Sequence, residues 1–87
     1  MPEARRLYEQ ISQKLAKSIA DGKYEIGHRL PSERELAQAF KVSRPTVREA
    51  IIALELDGLV EVRLGSGVYV MNRHPPSGSE GAKDIGP

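Results

Sequence analysis

Arg44 and Arg48 lie four positions apart, with Ser43 just before them and Pro45, Thr46 and Val47 between. On a helix that interval sets the two guanidinium groups one turn apart on the same side. Each is a planar fork of donors that fits O6 and N7 of a guanine, and one such pair discriminates against a wrong base by roughly 1 to 3 kcal/mol. Thr46 adds a hydroxyl for a phosphate or a methyl to meet a thymine. The plainer alternative is a pair of solvated charges, with Glu49 pairing locally. The elements that carry the arginines decide between the two.

Other chemistries find little footing. The chain has 87 residues, 39% hydrophobic and 29% charged, which suits one small folded domain and no second core. It has no cysteine, which excludes a disulfide framework and thiolate metal sites and fits a reducing cytoplasm. His28 and His74 have no carboxylates at ligand spacing, and no nucleophile with a base or paired-carboxylate pocket can be assembled. Neither an enzyme nor a metal or cofactor site is expected. No apolar run approaches the ~20 residues of a membrane helix, and MPEARRLYEQ is charged where a signal peptide is apolar. A cytoplasmic protein without a membrane partner is expected. The net charge of +1 is uninformative taken whole, because nucleic-acid binders more often carry a clear basic excess. Only the placement of the arginines can speak for such a partner.

Three helices are predicted. Leu7, Ile11, Leu15 and Ile19 recur every four positions, with Tyr8 and Ala16 beside them, and Asp21-Gly22 closes this stripe. The segment Tyr24 to Leu30 holds a turn at Gly27 and a very short strand at Arg29-Leu30. A second helix starts at Ser32, where Ser32 and Glu35 have the spacing of a capping box, and buries Leu36, Ala37 and Phe40. Arg34 sits in its first turn, with Glu33 and Glu35 as possible local partners. About three residues later Ser43 caps a third helix, whose first turn tolerates Pro45 and whose inward stripe is Val47, Ala50, Ile51 and Leu54. So short a connection forces a sharp angle, with Val42 plugging the corner. Ile52 extends the stripe toward the side of the arginines.

After Gly58 the hydrophobic period changes to two. Val60 and Val62 share one face, as do Val68 and Val70, and Leu64-Gly65-Ser66-Gly67 makes a turn between them. The fold class is therefore mainly α with a small β-hairpin, a winged helix-turn-helix of three helices plus wing. It occupies residues 1–73, and the Pro, Gly and Ser-rich residues 74–87 are expected to be a flexible linker or tail. A glycine at the wing tip, Gly65, lets the backbone approach a narrow groove, while Arg63 and Ser66 can bind flanking phosphates. Gly67 is the turn residue of the two. Tyr8 and Tyr69 belong to the core or its edge, since three tyrosines and one phenylalanine make no stacking platform.

The runs Leu30 to Ala37, Val42 to Ala50, Leu54 through Gly58-Leu59-Val60 and Gly65 to Val70 closely resemble, in that order, the DNA-binding domain of GntR-family transcription regulators. The resemblance covers residues 7–71. Arg6-Leu7-Tyr8 and the run Arg48 to Leu56 look most like the subgroup related to the fatty-acid-responsive regulator, and to a lesser degree like its hexuronate-responsive members. It implies that Arg34, Ser43, Arg44, Pro45, Thr46 and Arg48 lie at double-stranded DNA, and that Gly65 reaches the minor groove. Leu64 departs from the pattern, because many relatives place a basic or polar residue there; a leucine can instead wedge against a sugar or meet a partner.

The resemblance implies an effector-binding and dimerising domain after the linker, and none is expected within these 87 residues. The resemblance thus implies a homodimer of the full-length protein on a pseudo-palindromic operator and a small-molecule effector bound by that absent domain. The alternative is a winged-helix protein-interaction module without DNA specificity, which the near-neutral charge favours and the grouping of Arg44, Thr46 and Arg48 disfavours.

Overall fold

A computed structural model describes residues 2–76 and the side chains of 6–76. Its elements are α1 (Pro2–Ala20), α2 (Glu33–Phe40), α3 (Arg44–Leu56), β1 (Val60–Arg63) and β2 (Gly67–Val70), the last two forming an antiparallel hairpin. This is the winged helix-turn-helix expected from the periodicities.

Helix α1 starts five residues ahead of Leu7, the expected first residue. Proline lacks only a donor that has no partner in a first turn, and Glu3, Ala4 and Arg5 are all tolerant of helix. A helix of 19 residues is about 28 Å long, more than this core can cover. Its buried stripe is accordingly Ile11, Leu15 and Ile19, whereas Leu7 is exposed and Tyr8 half-buried. At the other end Gly22 takes φ +88 and the N–H groups of Gly22 and Lys23 donate to the carbonyls of Ile19 and Ser18. That paired arrangement stops the helix cleanly.

Helix α2 has the capping box in full: Glu35 N–H donates to Ser32 Oγ at 3.0 Å and Ser32 N–H to Glu35 Oε1 at 2.9 Å. Leu36 and Ala37 are buried, but Phe40 is only half-buried, because it stands in the last turn where the chain swings away. Lys41 makes that swing in the left-handed region, at φ 58, while Val42 N–H bonds back to Ala37 O. Val42 then packs against the core at the corner. Val47, Ala50, Ile51 and Leu54 of α3 bury the inward face, and α3 packs on both α1 and α2.

In the hairpin Val60 pairs with Val70 and Val62 with Val68. Val60 and Val70 are buried while Val62 is exposed, so the cover provided by the helices runs out toward the tip. Arg29 bridges Tyr69, and Leu30 N–H donates to Val68 O at 2.8 Å, which adds the very short third strand beside β2. Beyond β2, Asn72 Nδ2 donates to Gly58 O at 2.7 Å and Pro76 lies against Gly58, where a Cβ would come within 2.7 Å of Pro76 Cδ. Residues 77–87, most of the expected linker, lie outside the described residues. No helix among the described residues is long and apolar enough to cross a membrane.

Candidate nucleic-acid interface

The tight turn between α2 and α3 brings the first residue of α2 against the first two turns of α3. Glu33 Oε1 accepts from Arg44 Nε at 2.9 Å, and its Oε2 accepts from Arg48 Nε at 2.9 Å. Arg48 Nη2 adds a third bond to Oε1 at 3.1 Å. Glu33 is the more enclosed member, its side chain 25% exposed against 60% for Arg44 and 59% for Arg48. One carboxylate thus aligns both guanidinium groups through their inner edges, and the outer N–H groups stay available. The local pair with Glu49 does not form; Glu49 contributes only a minor long-range attraction to Arg48.

The electrostatics follow from this geometry. The Arg48 hydrogen bond is the main influence holding the Glu33 carboxyl below its usual range; burial pushes the other way, and the Arg44 hydrogen bond and the charges of both arginines add to the lowering. Arg48 is correspondingly raised by its bond to Glu33. The carboxylate cancels part of the positive field in the free domain, so net charge understates what the arginines present once a ligand competes for them.

At the start of α3, Ser43 Oγ accepts from Thr46 N–H at 3.3 Å and shares a hydrogen bond with Thr46 Oγ1 at 2.8 Å. Both hydroxyls named from the sequence are therefore engaged with each other, and a phosphate here must share them. Pro45 is exposed beside them. Arg34 is exposed and makes no ion pair or hydrogen bond among the described residues, since Glu33 holds the α3 arginines and Glu35 serves the cap. The local bridge considered for Arg34 is absent.

The wing is braced. Ser66 N–H closes the turn on Arg63 O at 2.9 Å, and Gly65 takes φ +76, as the third position of a type II turn requires. The Arg63 guanidinium lies 4.3 Å from the Tyr69 ring centroid and pairs with Glu61 at 3.1 Å. Ser66 Oγ and Tyr69 Oη are 2.6 Å apart. Between wing and helix runs a cleft with Arg48, Ile52 and Glu55 on one wall and Val62 and Leu64 on the other. Ile52, itself exposed, thus faces the wing across this cleft. The site falls into two groups on either side of this cleft, Arg44 and Arg48 with Ser43, Pro45 and Thr46 on the helix, and Arg63, Gly65 and Ser66 on the hairpin.

The family described as bacterial regulatory proteins, gntR family, matches residues 7–70, the whole of the body that carries both groups. The chain belongs to the GntR family. This GntR domain is 51% identical over 73 residues to the Exu regulon transcriptional regulator of Escherichia coli K12, covering 84% of this chain and 28% of that protein. It is 53% identical over 72 residues to the Uxu operon regulator of Haemophilus influenzae, covering 83% of this chain and 27% of that protein. Among solved structures it superposes on the AraR DNA-binding domain in complex with operator ORX1 with a TM-score of 0.72 at 38% identity, covering 74% of this chain and 77% of that one. A GntR-family transcriptional regulator from Listeria monocytogenes gives 0.74 at 31% identity, covering 90% and 71%. The chain spans less than a third of the length of these two Exu and Uxu relatives.

Two residues of this GntR domain that position the candidate site were not among those picked for it from the sequence. Glu33 read as part of a capping turn, and its true partners lie 11 and 15 positions away. Arg29 read as a fragment of strand, yet its stem lies where a Gly67 Cβ would fall, 2.6 Å from Arg29 Cδ, and its Nη1 donates to Ser66 O at 3.2 Å. The type of connection after α2 was the one available signal for Glu33; for Arg29 there was none.

Proposed function

We propose that this domain reads double-stranded DNA sequence-specifically for a bacterial transcription regulator, with the start of α3 in the major groove and the wing at the minor groove. The observation that carries this is the pair of exposed guanidinium groups, Arg44 and Arg48, aligned by one carboxylate at a helix N-terminus. Pre-aligned donors lose less freedom on binding, and a helix N-terminus adds partial positive charge toward phosphate. In this reading Arg44 and Arg48 meet base edges, while Arg34, Ser43, Pro45 and Thr46 meet the backbone or bases beside them. Arg63 and Ser66 hold flanking phosphates, and Gly65 lets the wing approach the minor groove. Similarity to a domain solved with its operator supports this.

The same reading makes the domain a binding module without cofactor or catalysis, at work in the cytoplasm. The greater length of the relatives supports a further effector-binding and dimerising domain, hence a homodimer on a pseudo-palindromic operator and a small-molecule effector. The likeness to Exu and Uxu regulators favours the hexuronate-responsive side of the sequence resemblance over the fatty-acid-related side.

Selection of the 87-residue chain against randomised duplex DNA at two salt concentrations tests it. A short motif containing guanines, degraded at one position by Arg48→Ala, is expected. If no motif emerges even from a forced dimer, and the weak binding vanishes with salt, the domain is a protein-interaction module instead.

A further inference from the structure

Leu64 is the most exposed large hydrophobic residue among those described, at 96%. One exposed leucine is ordinary by itself. This one is carried on a turn that is braced on both sides, at Arg63 and at Ser66. The turn is closed by the Ser66 to Arg63 hydrogen bond, and Arg29 supports it from below through its stem at Gly67 and its bond to Ser66 O. Tyr69 holds Arg63 by its ring and Ser66 by its hydroxyl. The side chain thus projects from a braced turn and is almost uncovered by its own chain.

Its surroundings indicate the partner. Leu64 faces Arg48 and Ile52 across the cleft between wing and α3. With Arg48 at major-groove base edges, a tip on the far wall of that cleft lies across one phosphate ridge, and the groove beyond that ridge is the minor groove. Arg29 flanks the tip with positive charge, and Arg63, paired with Glu61 in the free domain, adds a second guanidinium that a phosphate can recruit; both suit a duplex and oppose burial in an apolar protein partner.

Building on the DNA-reading function above, we infer that Leu64 enters the minor groove as an apolar wedge, so that the wing selects flanking sequence by groove shape and chemistry without hydrogen bonds. Leucine has no donor or acceptor for the N3 and O2 atoms on the groove floor. It packs on deoxyribose walls and slips toward base steps that open readily, such as pyrimidine–purine steps. The guanine N2 amino group, which projects into this groove, would lose its water to leucine and gain no bond in return. The wing therefore favours A·T over G·C at this position and does not distinguish A·T from T·A.

The test uses the 87-residue chain, wild type, Leu64→Ala and Leu64→Lys, titrated with duplexes bearing the selected half-site. In one set, flanking adenines are replaced by 2,6-diaminopurine, which adds an amino group in the minor groove and leaves the major-groove edge unchanged. Wild type is expected to weaken about five- to tenfold at one position, and Leu64→Ala by less than twofold. Leu64→Lys should bind with a steeper salt dependence, the slope growing by about 0.9. If wild type and Leu64→Ala respond alike to the added amino group, the wedge is wrong. Arg48→Ala, run alongside, separates the two readings: its loss of base preference keeps the major-groove assignment standing when the wedge fails. A wild type blind to guanines in the half-site overturns both. Because Leu64 touches no core residue, circular dichroism should show all three proteins equally folded.

Discussion

Glu33 and Arg48 are joined by two hydrogen bonds, of 2.9 and 3.1 Å, across fifteen positions of chain. This contact, with its twin to Arg44, makes the first residue of α2 a holder for the side chains at the start of α3. Glu33→Gln keeps the shape and removes the charge. We expect it to strengthen binding to random duplex DNA roughly two- to tenfold and to blunt base preference, because the arginines gain net charge and lose alignment. Binding assays on matched and scrambled duplexes check this; unchanged discrimination would show that the arginines align on DNA without help.

Stability should depend on the same carboxylate in acid. The folded protein holds Glu33 below its ordinary pKa of 4.5. Its contribution is therefore complete above that value and is lost as pH falls through the lower folded value. Urea midpoints measured from pH 7 to pH 3 should show wild type more stable than Glu33→Gln at neutral pH, with the gap closing at the acid end. A gap that widens in acid contradicts the assignment.

Arg48→Ala and Arg34→Ala should fail in different ways. Loss of Arg48 is expected to erase preference at one base position, a change of about tenfold between right and wrong base. Loss of Arg34, an unpaired exposed cation among the described residues, is expected to weaken all sequences alike and to lower the salt slope by about one if it meets a phosphate. Titration at three salt concentrations on two duplexes distinguishes the patterns.

The corner between α2 and α3 carries removable strain. Lys41 occupies the left-handed region at φ 58, where a side chain costs roughly 1 to 2 kcal/mol and glycine does not. Glycine gives back part of this through its freer unfolded state. Lys41→Gly should raise stability by up to about 1 kcal/mol in denaturant unfolding with the slope unchanged. A loss of stability would show the lysine side chain holding the corner.

The wing offers a paired test. Gly67 takes φ +145 and a Cβ there would meet the Arg29 stem, whereas Gly65, at φ +76, has open space around it. Gly67→Ala should cost about 1 to 3 kcal/mol and Gly65→Ala about 1 to 2. Adding Arg29→Ala should recover part of the first loss and none of the second, as thermal unfolding of the double variants would reveal.

Features set within a few residues of one another were legible in the sequence. Ser32 with Glu35, Ser43 with Thr46, Gly22 and Gly58 after their helices, and the valines of the hairpin all act through bonds or periods that span at most one or two turns. The order of these elements and the short turn at Val42 then left one architecture, and the spacing of Arg44 and Arg48 marked the candidate face. What required the tertiary structure were relations between elements. The crossing of α2 and α3 joined Glu33 to both arginines, a long-range partner in place of the local one, Glu49, that the plainer alternative offered. The short strand beside β2 laid Arg29 under the wing, and the height of the hairpin above the helices left Val62 exposed although Val60 on the same face is buried. Periodicity tells which way a side chain points from its own element. Which side chains then meet depends on the angle and distance at which two elements pack, and those are fixed by the whole core at once.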